Sequence, residues 1–165
     1  MHRAGVLMLA FAVAGLVIGV SPALGLVEPE VIRLVDVEEA FVPIDPEAFT
    51  DEDVPVVGAR FAPTDGLYEW AGAKRGKRAG RLEGFCTFTV VNLAAGVATA
   101  YCTAEVSLRR GRVLVAGFIR FREEGAGTFV IPVVGGTGRY ANARGTFTLR
   151  ELRGGNSAAT FRLLP

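Results

Sequence analysis

The sequence predicts an all-β protein: a closed, antiparallel up-and-down barrel of about eight strands, with a β-sandwich as the alternative. Three observations carry the prediction. Little of the chain has helical period; from Leu82 onward apolar residues alternate with polar ones, or run in short stretches between glycine-containing breaks. The breaks are brief, and brief connections join antiparallel neighbours, because a parallel crossover needs a dozen or more residues. Such segments are also numerous enough to close a barrel, and no domain boundary or repeat interrupts them.

The elements follow in order. Met1-His2-Arg3 is a short basic start, Ala4 to Val20 is uncharged, Ser21-Pro22 breaks the run, and Ala23-Leu24-Gly25 offers small residues for cleavage. Residues 1–25 therefore read as a secretory signal peptide, with an uncleaved membrane anchor as the competing reading. This layout predicts a secreted, extracellular protein with no membrane attachment after cleavage. Residues 26–53 supply a first strand, Val31–Glu38, and a long acidic, proline-punctuated loop from Glu39 to Asp53. Residues 54–165 complete a single barrel domain. Its strands are expected at Val54–Phe61, Leu67–Trp70, Leu82–Val91, Val97–Leu108, Arg112–Phe121, Thr128–Val134, Gly145–Leu152 and Ala158–Leu163. The basic run Lys74, Arg75, Lys77, Arg78 and Arg81 is broken by glycine and lacks interleaved aromatics, so it reads as a solvated loop. The net charge is +1, and the signal peptide takes Arg3 with it. A nearly neutral domain has no electrostatic reason to bind nucleic acid.

Residue type excludes several kinds of chemistry. The sole histidine, His2, lies in the signal peptide, so the mature domain lacks Ser-His-Asp and Cys-His machinery and the usual zinc sites. No metal and no cofactor is expected. One motif points the other way: Gly136-Thr137-Gly138-Arg139-Tyr140-Ala141 fits a relaxed dinucleotide-binding pattern after a valine-rich run. Such a loop must open a helix inside a βαβ unit. Here the chain is strand-like again from Arg144 to Arg150, and too little of it remains for a dinucleotide fold. Gly135, Gly136 and Gly138 instead suit a tight turn at Gly135–Arg139 that needs positive φ.

The only cysteines, Cys86 and Cys102, fall on adjacent predicted strands. A hairpin symmetric about Ala94 sets them directly opposite, where a non-hydrogen-bonded pair has Cα atoms roughly 4.5 Å apart and can be bridged. Export favours a disulfide; two reduced core cysteines, or a reactive Cys86 facing a cavity, are the alternatives. Two carboxylates stand out by context. Asp36, in VIRLVDVEEA, lies within an apolar strand and shares a face with Glu38. If that face lines the barrel, desolvation and mutual repulsion raise a pKa toward neutrality and suit a general acid or base. If it faces water, both are ordinary strand-end acids. Asp65, in APTDGLYEW, precedes a glycine and reads as a turn residue.

Two stretches carry a family resemblance. IPVVGGTGRYANARGTF, residues 131–147, resembles the plant dirigent-protein stretch with its Pro-Val-Val-Gly-Gly-Thr-Gly core and downstream Ala-Arg-Gly. DGLYEWAGAKRGKRAGRLEGF, residues 65–85, follows the dirigent order of acidic turn, Leu, variable loop and Gly-Arg strand entry. The same region is similar to allene oxide cyclases. Their Thr-Asn-x-Leu-Tyr is echoed by Thr64-Asp65-Gly66-Leu67-Tyr68, and their Gly-x-Cys strand by Gly84-Phe85-Cys86. The resemblance implies an eight-stranded barrel with an apolar cavity, often assembled as a homotrimer and needing no cofactor. It implies a small apolar ligand whose cyclisation or stereoselective coupling the barrel directs, an isomerase or cyclase if it is an enzyme. The catalytic candidates are then Asp36, Asp65 and Arg144, and the ligand-contacting candidates Glu38, Tyr68 and Cys86. Two features depart from the plant pattern: Arg139 stands where many dirigents have an acid, and the Ala-, Val- and Arg-rich composition looks bacterial. A non-catalytic, lipocalin-like carrier is the runner-up, and a structural barrel with a filled interior the third reading.

Overall fold

The computed structural model describes residues 28–49, 54–71, 74–122 and 127–164, so the signal peptide expected at 1–25 lies outside the described residues. Eight strands follow one another around a closed barrel: β1 (Glu30–Pro43), β2 (Arg60–Ala71), β3 (Lys74–Asn92), β4 (Val97–Leu108), β5 (Gly111–Arg122), β6 (Thr128–Gly136), β7 (Arg144–Glu151) and β8 (Ser157–Leu164). Each pairs antiparallel with its neighbours, and β1 closes the circle against β8. The period-two pattern places side chains as expected: on β4 the buried Ala100, Cys102 and Val106 alternate with exposed Tyr101 and Thr103 and half-buried Ser107.

The ladder overrides local sequence cues in four places. The segments expected at Val54–Phe61 and Leu67–Trp70 are replaced by one strand, β2, which starts only at Arg60. Asp65-Gly66 is therefore mid-strand rather than a turn. Gly66 leaves room there for its neighbours' side chains, since a Cβ would sit 2.5 Å from Glu39 Oε1 and 2.8 Å from Tyr68 Cε2, and both would have to shift. Second, the first third of the expected acidic loop is strand: β1 runs through to Pro43, with a bulge between Glu38 and Ala40. Third, the basic run is not a loop, because β3 begins at Lys74 and pairs back to Trp70 and Ala71. Fourth, β6 continues through Gly136, so only Gly138 (φ 60°) of the three glycines is left-handed. The connection is a short 3-10 turn, Gly138–Tyr140, stitched to the start of β5 by Thr137 N–H to Arg112 O (2.9 Å) and Arg139 N–H to Arg110 O (2.9 Å).

Two apolar clusters fill the two ends of the lumen. One, around Leu67, Val106, Val113, Tyr140, Phe147 and Phe161, forms a packed floor; the other gathers Ala59, Phe61, Cys86, Phe88, Ala100 and Cys102. Cys86 stands opposite Cys102 in the β3–β4 ladder, Cα atoms 4.1 Å apart, and the two are joined in a disulfide. That register survives because a bulge after Phe88 absorbs the off-centre turn at Leu93–Ala95. The bridge closes a 16-residue separation. Loop-closure entropy assigns such a bridge about 3 kcal/mol, so the C86S/C102S variant should melt several degrees lower than wild type. An unchanged melting temperature, followed by calorimetry under non-reducing conditions, contradicts a structural role.

Candidate functional site

Between the clusters lies a cavity of about 380 Å³. Small residues make its room: Gly84 and Ala104 face each other across the β3–β4 ladder and both line it. Leu82, Val115, Ile131 and Phe147 form its floor. Aromatic rings crowd its upper part, with Phe41 stacked on Phe61 at 4.7 Å, and Phe121 edge-on to Phe61 and to Phe129 at 6.3 and 5.7 Å. The open volume rules out a lumen filled throughout by side chains.

Carboxyl groups enter this apolar space from one wall. Glu38 on β1 is directly opposite Asp65 on β2; Asp36 lies one inward position further along, flanked by Leu67 on β2 and Ser157 on β8. Asp36 and Asp65 are 5% and 8% exposed, the only buried charged residues in the described interior. Glu38 lines the cavity too but reaches water. The bulge then turns Glu39 outward, where Arg78 binds it at 2.8 Å, and brings Phe41 back to the lumen. That partner holds the Glu39 carboxyl below the usual range, by its hydrogen bond foremost.

The buried pair has no such partner. Asp36 Oδ1 is buried without a hydrogen bond. Burial foremost, then the charges of Asp65 and Glu38, push Asp36 up to about 8. Burial, then Glu38 and Glu39, push Asp65 up to about 7. The two titrate as a coupled pair around neutrality. No cluster of three His, Cys, Asp or Glu side chains among the described residues is placed to hold a metal ion.

Asp36, Asp65, Glu38 and Cys86 thus meet in one cavity, whereas Tyr68 and Arg144 do not. Alternation from the inward Leu67 turns Tyr68 to the outer wall, with the Arg75 guanidinium 4.5 Å above its ring. Arg144 is exposed at the start of β7, in an outer depression with Tyr140 and Leu164. Cys86 reaches the cavity as half of a disulfide, which removes the free-thiol alternative. Sequence reasoning missed Glu151, Ser157 and the phenylalanines of the lining. The alternation Phe147, Leu149, Glu151 along β7 was the available clue to the first of these.

Both raised carboxyls hold their protons more tightly folded than unfolded. The stability this confers is present in full below pH 4 and is lost as pH rises through about 7 to 8. D36N should therefore melt higher than wild type at pH 8 and close to it at pH 4, by circular dichroism. An equal shift at both pH values contradicts the burial of an ionisable Asp36.

Comparison with known proteins places this geometry. No curated protein is a significant sequence match. Among solved structures, a pyocyanin demethylase is similar at TM-score 0.61 and 22% identity, covering 81% of this chain and 99% of its own. An exo-specific intermolecular Diels-Alderase is similar at TM-score 0.60 and 16% identity, covering 82% of this chain and 97% of its own. A pterocarpan synthase dirigent protein is similar at TM-score 0.60 and 14% identity, covering 82% and 93%. Residues 64–162, well over half of the chain, match the model of the allene oxide cyclase barrel like domain. The chain belongs to the allene oxide cyclase-like barrel family.

Proposed function

We propose that the barrel takes a small, largely apolar molecule into its cavity and directs a cyclisation or stereoselective coupling there, with Asp36 and Asp65 as proton donor and acceptor. The observation that carries this reading is the pair of buried carboxyls, raised to about 8 and about 7, inside an apolar cavity. A carboxyl that titrates near neutrality can both give and take a proton at modest cost, as acid–base catalysis requires. The phenylalanine walls would hold a flexible substrate in one reactive conformer, so that part of the barrier is met before reaction. A carrier needs no buried, partnerless carboxylate, so Asp36 favours chemistry over storage. Two of the similar structures, a Diels-Alderase and a pterocarpan synthase dirigent protein, agree with ring-forming chemistry on this fold.

We place the protein outside the cytosol, since a disulfide persists in oxidising compartments. No helix among the described residues is long and apolar enough to cross a membrane. The test of the function is native mass spectrometry of the protein from its producing organism. A small molecule should travel with the wild type and be lost in A104L, whose larger side chain fills the cavity. With that molecule, or its precursor, as substrate, D65N and D36N should each lower kcat by roughly 10²–10⁴, the range of acid–base contributions. Undiminished turnover in both variants would remove the carboxyls from the mechanism.

A further inference from the structure

The cavity is sorted by charge in a way the nearly neutral composition hides. Four carboxyl groups line it, from Asp36, Glu38, Asp65 and Glu151, and its described lining contains no lysine, arginine or histidine. Basic side chains stay on the outer wall, where Arg78 and Arg60 answer Glu39 and Asp45. Inside, nothing among the described residues answers the acids. Asp36 makes the point most sharply: the residue is 5% exposed, lines the cavity, and leaves Oδ1 without a partner. A buried carboxylate is tolerated when an opposite charge or a donor meets it. Among the described residues no such group is present, so Asp36 either keeps its proton or takes its partner from outside the chain. The aromatic faces of the same cavity attract positive charge as well.

We propose that the ligand of this cavity is an organic cation, a protonated or quaternary amine on an apolar body, seated with its charge toward Asp36 and Asp65 and its apolar body among Phe41, Phe61, Phe121 and Phe129. The proposal rests on the reading of the cavity as a small-molecule site and narrows its substrate class. A cation satisfies the orphaned oxygen and removes the repulsion between the acids. A neutral ligand leaves both carboxyls to be neutralised by protons, and an anion adds to the repulsion. The groups facing Asp36 and Asp65 are Glu38 on β1 and Glu151 on β7, with uncharged Ser157 on β8 and with Glu39 acting on Asp65 from the outer side. All that titrate are acids, so a bound cation favours ionisation of the carboxyl nearest it, while the other can still hold a proton.

Isothermal titration of the intact protein at pH 8 with three bicyclic probes of one size tests this: N-methylquinolinium, methylnaphthalene and naphthoate. The cation should bind at least about tenfold more tightly than its neutral isostere, and the anion most weakly. The preference for the cation should collapse in D36N/D65N, whose fold is checked by circular dichroism. Methylnaphthalene binding as tightly as the cation overturns the cationic class and leaves the small-molecule site standing. So does a preference that persists in a folded D36N/D65N variant. Failure of all three probes to bind overturns the site itself.

Discussion

Closure of the sheet is the constraint on which everything else depends. In an open sheet, a carboxylate at an inward position near an edge can turn to water. Eight strands joined edge to edge give it no such exit: every inward position faces one shared lumen. The alternation that sends Leu34, Leu67 and Phe161 into the floor also sends Asp36 and Asp65 into the same space. Their protonation behaviour follows from this geometry, with neighbouring acids adding to the effect of burial.

The arrangement costs stability, and the fold offsets the cost elsewhere. The half of the lumen below the carboxyls is packed with branched and aromatic side chains, and the disulfide ties β3 to β4 beside the cavity. Room for a ligand comes from Gly84 and Ala104, inward positions where a larger apolar residue would have favoured packing. Local rules broken in this way, with no structural gain, concentrate where proteins work. The bulge after Glu38 belongs to the same device: one inserted residue separates an acid of the lumen from an acid paired on the surface.

Much of this was legible in the sequence, for identifiable reasons. Alternation and short breaks report the ladder directly, so β4, β5 and β8 lie close to their expected bounds. The cysteine register matches the symmetric hairpin because the bulge after Phe88 offsets the off-centre turn, a compensation that no local pattern states. What was hidden depends on partners distant in sequence. Asp65-Gly66 carries the chemistry of a turn, yet β1 and β3 on either side hold it extended. The basic run from Lys74 is polar enough for a loop, but the rest of β2 needed a partner. Of the candidate site, Asp36 and Glu38 could be placed on one face by counting. That Asp65 joins them required the β1–β2 register, which no local pattern states. Asp36 and Glu38 also precede the segment that matches the family model, so the site combines family and non-family parts of the chain.

The most direct measurement of the central claim is a carbon-13 NMR titration of the aspartate side-chain carboxyls, with Asp36 and Asp65 assigned from their asparagine variants. Two carboxyls enclosed in an apolar lumen should titrate as a coupled pair near pH 8 and pH 7. Midpoints near the ordinary 3.8 for both would mean that water reaches them freely, and the account of the cavity as an acid–base site would not stand.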